Sequence, residues 1–364
     1  HQRAEEVLAR AREVGGDGKL VHTGEGGILH VGLLEKLLVP ALAKLSHYVP
    51  GGGIWMNTQR PEWNDANNAL VGHGLSMVTL AYLRRYLAFL RQHLASDGPV
   101  GHPVSEAVGR WFEAVARILA DGDPVACSEE PTARRALMDR LGRAYSDYRE
   151  TVYAGDPGAP RRLDTARVDE VCGAALAHLD ATLDRARRQD GLYHSYNLLH
   201  LGEGDADVRP LYLMLEGQVA ALSSGRVGPA EAEALLDALF DSALYRPDQH
   251  SFLLYPARDL PGFLQRNVLG VEWLQRAPLL DELLAAGEHQ VILRDVDGVL
   301  RFGADLSNAQ DLDDALDRLA AQPRWKDAID AGRAGVHEAY ESVFHHHSFT
   351  GRSGTMYGLS LIHI

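Results

Sequence analysis

The stretch from Leu75 to Leu94, LSMVTLAYLRRYLAFLRQHL, has the apolar spacing of an amphipathic helix. Its apolar side chains recur every three or four residues, which places them on one helical face. This face comprises Leu83, Tyr86, Leu87, Leu90 and Leu94. The same spacing returns in LLEKLLVPALAKL (33–45), EAVGRWFEAVARILA (106–120) and DTARVDEVCGAALAHLDATLDRARR (164–188). These segments predict a chain made mainly of helices, with Ser105 and Asp164 as N-caps.

One segment has a different pattern. HQVILRDVDGVLRFG (289–303) contains two short alternating runs around Asp297-Gly298, which predicts a β-hairpin. We find no fixed-period repeat and no Pro/Ser linker. The sequence therefore predicts one large all-α domain with a small β-hairpin near residues 289–303.

Composition narrows the classes of function. The 364 residues carry a formal net charge of −14, which argues against nucleic acid or an anionic membrane surface as partner. Cys127 and Cys172 are the two cysteines, so a disulfide framework is excluded and a cysteine metal site is not expected. No apolar run is long enough to span a membrane. We expect a cytoplasmic protein with no metal and no cofactor, able to form a homodimer.

Both ends have the features of a fragment. The chain begins without methionine inside a helical pattern, HQRAEEVLAR. The last six residues, LSLIHI (359–364), resemble a translated sequencing-adapter tail and are expected to be non-native. Residues 1–358 are accordingly predicted to be a fragment of one catalytic domain.

The stretch RPEWNDANNALVGHG (60–74) gathers polar and aromatic side chains in one loop. A carboxyl group beside an aromatic ring can hold its proton near neutral pH and deliver it to a leaving oxygen. Trp63 supplies such a surface for Glu62 or Asp65, and it can also stack on a sugar ring. Hydrogen bonds to sugar hydroxyls are expected from Arg60, Asn64, Asn67 and Asn68. The alternative is structural: Asp65 caps a helix that begins at Ala66.

A second polar segment is HHHSFTGRSGTMYG (345–358). Arg352, the hydroxyls of Ser353 and Thr355, and the backbone at Gly354 suit phosphate or another anion. Of the three adjacent histidines, His346 is assigned to the same anion. The alternative is a flexible glycine turn.

Two further places carry candidate residues. Glu216 lies in the apolar run YLMLEGQVA (212–220), where an unpaired charge is costly, so we expect it to be paired or functional. The loop GLYHSYNLLH (191–200) offers sugar contacts from Tyr193, His194, Tyr196 and Asn197.

The segment Trp63-Asn64-Asp65 resembles the WND segment of the inverting cellobiose and chitobiose phosphorylases. That resemblance implies an (α/α)6 toroid with Asp65 as general acid. It also implies a phosphate site late in the toroid, at a position comparable to Gly351–Thr355. More of the chain (PEWNDANNALVG, YNLLHL, LEGQVAALSSG and SFTGRSGTMYG) resembles large bacterial proteins related to the six-hairpin glycosidases.

Three functions follow as expectations. The leading one is cleavage of a glycosidic bond with inversion, with inorganic phosphate as co-substrate and an oligosaccharide or glycoside as substrate. The second is an inverting hydrolase in which Glu216 activates water. The third is a helical sugar-binding or scaffold protein without turnover.

Overall fold

A computed structural model of the chain describes residues 2–23, 26–57, 70–95, 100–155, 157–257 and 261–344. The chain divides into two compact units, His1–Ala257 and Arg258–Ile364. An insertion within a catalytic domain would also give two such units, so the single catalytic domain over residues 1–358 stays a prediction. Each unit is described separately.

The helices of the first unit form most of its mass. They are α1 (Gln2–Val14), α2 (Leu33–Leu45), α3 (Met77–Ala95), α4 (Glu106–Asp121), α5 (Pro124–Glu129), α6 (Pro131–Tyr153), α7 (Thr165–Arg185), α8 (Leu215–Ser223) and α9 (Pro229–Phe240), with a 3-10 turn at Gly16–Lys19. Helix α3 packs against α7 and α8, and α4 packs against α6. Buried side chains from α2 to α9 make one continuous apolar core.

The helices predicted from apolar spacing are present. Helix α2 spans the predicted residues and continues through Pro40. Helix α4 begins after Ser105, whose side chain accepts a hydrogen bond from Val108 N as expected of an N-cap. Asp164 is the N-cap residue of α7, but its side chain makes no capping hydrogen bond.

A five-stranded antiparallel sheet lies beside these helices. Its strands are β1 (Tyr48–Val49), β2 (Gly53–Trp55), β3 (Gly74–Ser76), β6 (Tyr196–Leu201) and β7 (Ala206–Pro210), in the order β1-β2-β3-β6-β7. One face, which carries Tyr48 and Ile54, joins the helical core. The other face packs Leu75 and Leu199 against Met138 of α6. Two smaller ladders pair β4 (Gly101–Ser105) with β5 (Pro160–Asp164), and β8 (Tyr245–Arg246) with β9 (Ser251–Phe252).

The all-α toroid prediction is therefore wrong, because the protein is a mixed α/β structure. The five-stranded sheet is assembled from strands of two to six residues. Such strands are too short to show a period of two, and Gly and Pro interrupt the first pair in YVPGGGIW (48–55). The segment YNLLHL (196–201) falls mostly in the expected loop 191–200, but it pairs with ADVRP (206–210) as the hairpin β6–β7.

The second unit has its own small core. Its helices are α10 (Phe263–Arg266), α11 (Trp273–Arg276), α12 (Pro278–Ala285), α13 (Ala309–Ala320) and α14 (Lys326–Phe344). The predicted hairpin is present as β10 (Ile292–Arg294) paired with β11 (Leu300–Phe302). Gly298 has φ +82° in the turn, and Asp295 Oδ1 accepts hydrogen bonds from the backbone of Asp297 and Val299. The turn thus uses the left-handed conformation that glycine tolerates.

Two further observations bear on the sequence predictions. Cys127 and Cys172 are both buried and unpaired with each other. Across the part of the chain that the structure describes, no helix is long and apolar enough to cross a membrane.

Candidate functional site

Two groups of predicted site residues lie outside the described residues. They are Arg60, Glu62, Trp63, Asn64, Asp65, Asn67 and Asn68 in the first group, and His346, Arg352, Ser353, Gly354 and Thr355 in the second. Their sugar-binding, acid and phosphate-binding roles stay predictions. The described site residues are Tyr193, His194, Tyr196, Asn197 and Glu216.

The structure does describe the base of the loop that carries Asp65. Backbone hydrogen bonds join Met56 N to Gly74 O at 2.9 Å and Gly72 N to Met56 O at 2.7 Å. The indole of Trp55 donates to Gly72 O at 3.1 Å. These hydrogen bonds join the described residues on the two sides of the segment with Asp65, and the joined residues, Trp55–Met56 and Gly72–Gly74, are called the stem here.

This stem lies next to the candidate segment 191–200, which includes the start of strand β6. Strand β3 pairs with β6 so that Ser76 is opposite Tyr196 and Leu75 is opposite Asn197. Met77 N also donates to Ser195 O at 3.0 Å. Two motifs that are about 120 residues apart in sequence are thus adjacent strands of one sheet.

Tyr196 in turn contacts Glu216. The Tyr196 hydroxyl donates a hydrogen bond to Glu216 Oε2 at 2.6 Å. Burial raises the pKa of the Glu216 carboxyl above its usual range, and the tyrosine hydrogen bond partly opposes that rise. The carboxyl thus has a hydrogen-bond partner, and its functional role stays a prediction.

The position of Glu216 differs from the one expected. The apolar spacing of PLYLMLEGQVAALSS (210–224) predicts a helix from Pro210, whereas Pro210 ends β7, residues 211–214 belong to no helix or strand, and α8 begins at Leu215. Glu216 therefore lies in the first helical turn and not in the helix interior. A carboxylate in the first turn is favoured by the helix dipole.

Of the remaining described candidates, Tyr193 and Asn197 use polar side-chain atoms in hydrogen bonds, whereas His194 has a buried ring nitrogen without a partner. The Tyr193 hydroxyl donates to Glu231 Oε1 at 2.7 Å, and burial together with this contact raises its pKa. Asn197 is buried and its amide donates to Gly52 O at 2.6 Å. Burial lowers the pKa of His194, and nearby Arg188 adds to the effect. Its Nδ1 is buried without a hydrogen-bond partner.

A cleft of about 670 Å³ opens in the same unit, between β2 and helix α6. Its lining combines aromatic and charged side chains, including Trp55, Asn57, Arg135, Asp139, Tyr145 and Arg149. The Arg149 guanidinium lies 5.7 Å from the centre of the Tyr145 ring. Trp55 and Asn57 are the residues that lead into the Asp65 loop. A volume of this size accommodates a small-molecule ligand.

Sequence reasoning missed the helix α6 side of this cleft. Tyr145, Arg149 and Tyr153 recur every four residues in AYSDYRETVY (144–153), so the spacing itself was available as a signal. It also missed His73, whose carbonyl accepts a hydrogen bond from Leu199 N at 2.8 Å. The His73 Nε2 atom is buried and has no hydrogen-bond partner.

The described residues contain no set of side chains placed to bind a metal ion. In the ranges that the structure describes, no group of three or more His, Cys, Asp or Glu side chains is arranged to hold an ion.

Residues 260–347 match the family model described as GH149 phosphorylase insertion domain 2. The match covers about a quarter of the 364 residues and falls within the second compact unit. No curated protein matches the chain. The family match supports a relationship to the glycoside phosphorylases, and with it to carbohydrate-active enzymes.

Proposed function

We propose that this chain is part of an enzyme that cleaves a glycosidic bond by phosphorolysis. The observation that carries the proposal is the match of residues 260–347 to a phosphorylase insertion domain. The resemblance of Trp63-Asn64-Asp65 to the WND segment of inverting phosphorylases supports it independently, because that segment lies outside the matched residues.

In the proposed reaction Asp65 donates its proton to the glycosidic oxygen as the bond to the anomeric carbon breaks. An oxygen of inorganic phosphate attacks the anomeric carbon from the opposite face. The products are a sugar 1-phosphate of inverted configuration and the shortened acceptor sugar. Trp63 provides the apolar wall that keeps the Asp65 carboxyl protonated near neutral pH.

Phosphate needs a local concentration of positive charge in a protein of net charge −14. Arg352, together with the hydroxyls of Ser353 and Thr355, the backbone at Gly354 and the ring of His346, is the proposed set.

The cleft beside Trp55 is the proposed place for the sugar. Aromatic rings such as Trp55 and Tyr145 offer stacking surfaces for the apolar faces of sugar rings. Arg135 and Asp139 offer hydrogen-bonding groups for hydroxyls, and the two are 2.9 Å apart in an ion pair.

The test is to incubate the full chain with a panel of disaccharides and longer oligosaccharides of different linkages, with and without inorganic phosphate. Phosphate-dependent release of a sugar 1-phosphate supports the proposal. Release of free sugar at the same rate in both conditions overturns phosphorolysis. Binding of sugar without any turnover would instead support a non-catalytic sugar-binding or scaffold protein.

An inverting hydrolase is the second candidate, and Glu216 is the observation that favours it. This carboxyl is partly buried, has a raised pKa and accepts a hydrogen bond from Tyr196. Such a group can serve as the base that activates water. An inverting hydrolase requires a separation of about 6.5–9.5 Å between its acid and base carboxyls. A structure with bound substrate analogue would measure that separation between Asp65 and Glu216.

A further inference from the structure

Buried side chains form hydrogen bonds between the N-terminal part of α8 and the 193–196 segment. Gln218 and Ser195 are both fully buried. The Gln218 amide bonds both backbone groups of Tyr193: Oε1 accepts from Tyr193 N at 2.7 Å, and Nε2 donates to Tyr193 O at 2.7 Å. An amide side chain thereby pairs with a peptide group as a neighbouring strand would.

Ser195 makes the second set of hydrogen bonds between this segment and α8. Its hydroxyl donates to Met214 O at 3.0 Å and accepts a hydrogen bond from Gly217 N at 2.7 Å. Gly217 N is one of the first helical N–H groups, which have no partner inside the helix. A serine from another segment therefore caps α8, while Met214, the residue at the N-cap position, makes no side-chain cap.

Gly217 permits the close approach. A Cβ at this position would lie 2.5 Å from Ser195 Oγ and 2.9 Å from Ser195 Cα. Any larger residue would push the 193–196 segment away from the helix.

The three contacts follow one another in order along two chain segments. Tyr193 meets Gln218, Ser195 meets Gly217, and Tyr196 meets Glu216. We propose that Ser195, Gly217 and Gln218 act as positioning residues that hold the Tyr196 hydroxyl on the Glu216 carboxylate. For its catalytic meaning this inference rests on the second candidate under Proposed function, the inverting hydrolase, in which Glu216 is the base that activates water.

Described charged residues near this segment form ion pairs, Arg187 with Glu231 and Arg188 with Asp190. Tyr193 and Arg187 both contact Glu231, the former at 2.7 Å and the latter at 3.4 Å. Arg188 pairs with Asp190 at 2.8 Å near His194. The hydrogen bond from Tyr196 opposes the effect of burial on the pKa of Glu216.

The test measures Glu216 directly, by carboxyl ¹³C NMR titration of the full chain. Losing the tyrosine donor removes the interaction that favours the ionised form, so Tyr196→Phe should raise the Glu216 pKa. Ser195→Ala and Gln218→Met leave Tyr196 in place, and each should raise this pKa in the same direction. Gly217→Ala should do so as well if the variant folds.

Ser224→Ala is the matched control. Ser224 is a buried serine at the other end of α8, and its hydroxyl also donates one hydrogen bond and accepts one. This variant should leave the Glu216 pKa unchanged. An unchanged pKa in both Ser195→Ala and Gln218→Met, with a shift in Tyr196→Phe, overturns the positioning role.

Kinetics separate this inference from the proposed function. In a chain that hydrolyses glycosides with Glu216 as base, Ser195→Ala and Gln218→Met should lower kcat about 10- to 100-fold with little change in KM, because the reacting geometry is displaced. Their pH profiles should shift with the Glu216 pKa. If the wild-type chain shows no turnover on any glycoside, the proposed function fails, and the NMR titration still decides the positioning role.

Discussion

Ser76 and Tyr196 lie opposite each other in the antiparallel pair of β3 and β6. Ser76 immediately precedes α3, the central helix of the first unit, and Tyr196 contacts Glu216. The return strand of the Asp65 loop is thus fixed to the strand that carries a candidate site residue. The roles predicted for residues 60–68 can be tested one by one.

Asp65→Asn should keep the fold and lower turnover by about 10²–10⁴-fold, because a general acid contributes that much to the rate. Glycosides with good leaving groups need less protonation, so their turnover should fall much less. Initial rates on both substrate types give the answer. An equal loss on both would indicate a structural role for this carboxyl.

Arg352→Ala should weaken phosphate binding by about 1.5–3 kcal/mol through loss of a charge-assisted hydrogen bond. Sugar binding should barely change. Phosphate and sugar titrations of kcat/KM measure the two effects, with Arg110→Ala as a control at an exposed arginine. A variant that loses sugar affinity and shows no phosphate dependence points to water as the nucleophile.

Arg134→Met should lower the free energy of unfolding by about 2–4 kcal/mol, since three buried carbonyl groups lose their donor. Arg134 is 2 % exposed and donates to the carbonyl oxygens of Pro50, Ala206 and Ser128. Urea denaturation measures the effect. Arg143→Met, at an exposed position of the same helix, is the control, and similar losses in the two variants would contradict the role of these hydrogen bonds.

The first unit should become less stable as the pH falls below about 6.5, because burial lowers the pKa of His178 in the folded protein. The unfolded chain then binds the proton more readily, so stability is complete above the unfolded pKa and declines below it. His178→Gln should reduce this slope in urea unfolding between about pH 8 and about pH 5.5. Exposed His200→Gln is the control. An unchanged slope in His178→Gln would assign the dependence to other groups, such as His47, whose pKa burial also lowers.

Helices were predictable here because their signals are local. The apolar stripe and Ser105 cap of α4 lie within one short segment, so neighbouring residues alone define that helix. The sheet was not predictable in the same way. Strand β3 has three residues and forms by pairing with β6, about 120 residues away. The opening stretch from Leu75 illustrates both cases, because its first two residues belong to the strand and the helix begins at Met77.

The sequence predicts candidate residues of the site from their types, but it does not predict the contacts between them. Tyr196 is predicted as a sugar contact because it belongs to a polar, aromatic segment, and Glu216 is predicted to be paired or functional because an unpaired carboxylate in an apolar run is costly. The sequence does not predict Gln218 as a site residue, because glutamine is common in helices and its partner is distant in sequence. That partner is the backbone of Tyr193, and no local pattern encodes it.

The separate apolar cores have a consequence for calorimetry. The core that spans Leu269 to Val343 lies entirely within the second unit, and the core around α3 lies entirely within the first. Two cores of this kind can melt in separate steps, so a single melting temperature would not be a well-defined quantity for the chain. We expect a calorimetric enthalpy larger than the van't Hoff enthalpy. Destabilising substitutions at Leu316 should then move one component of the heat-absorption trace and leave the other in place.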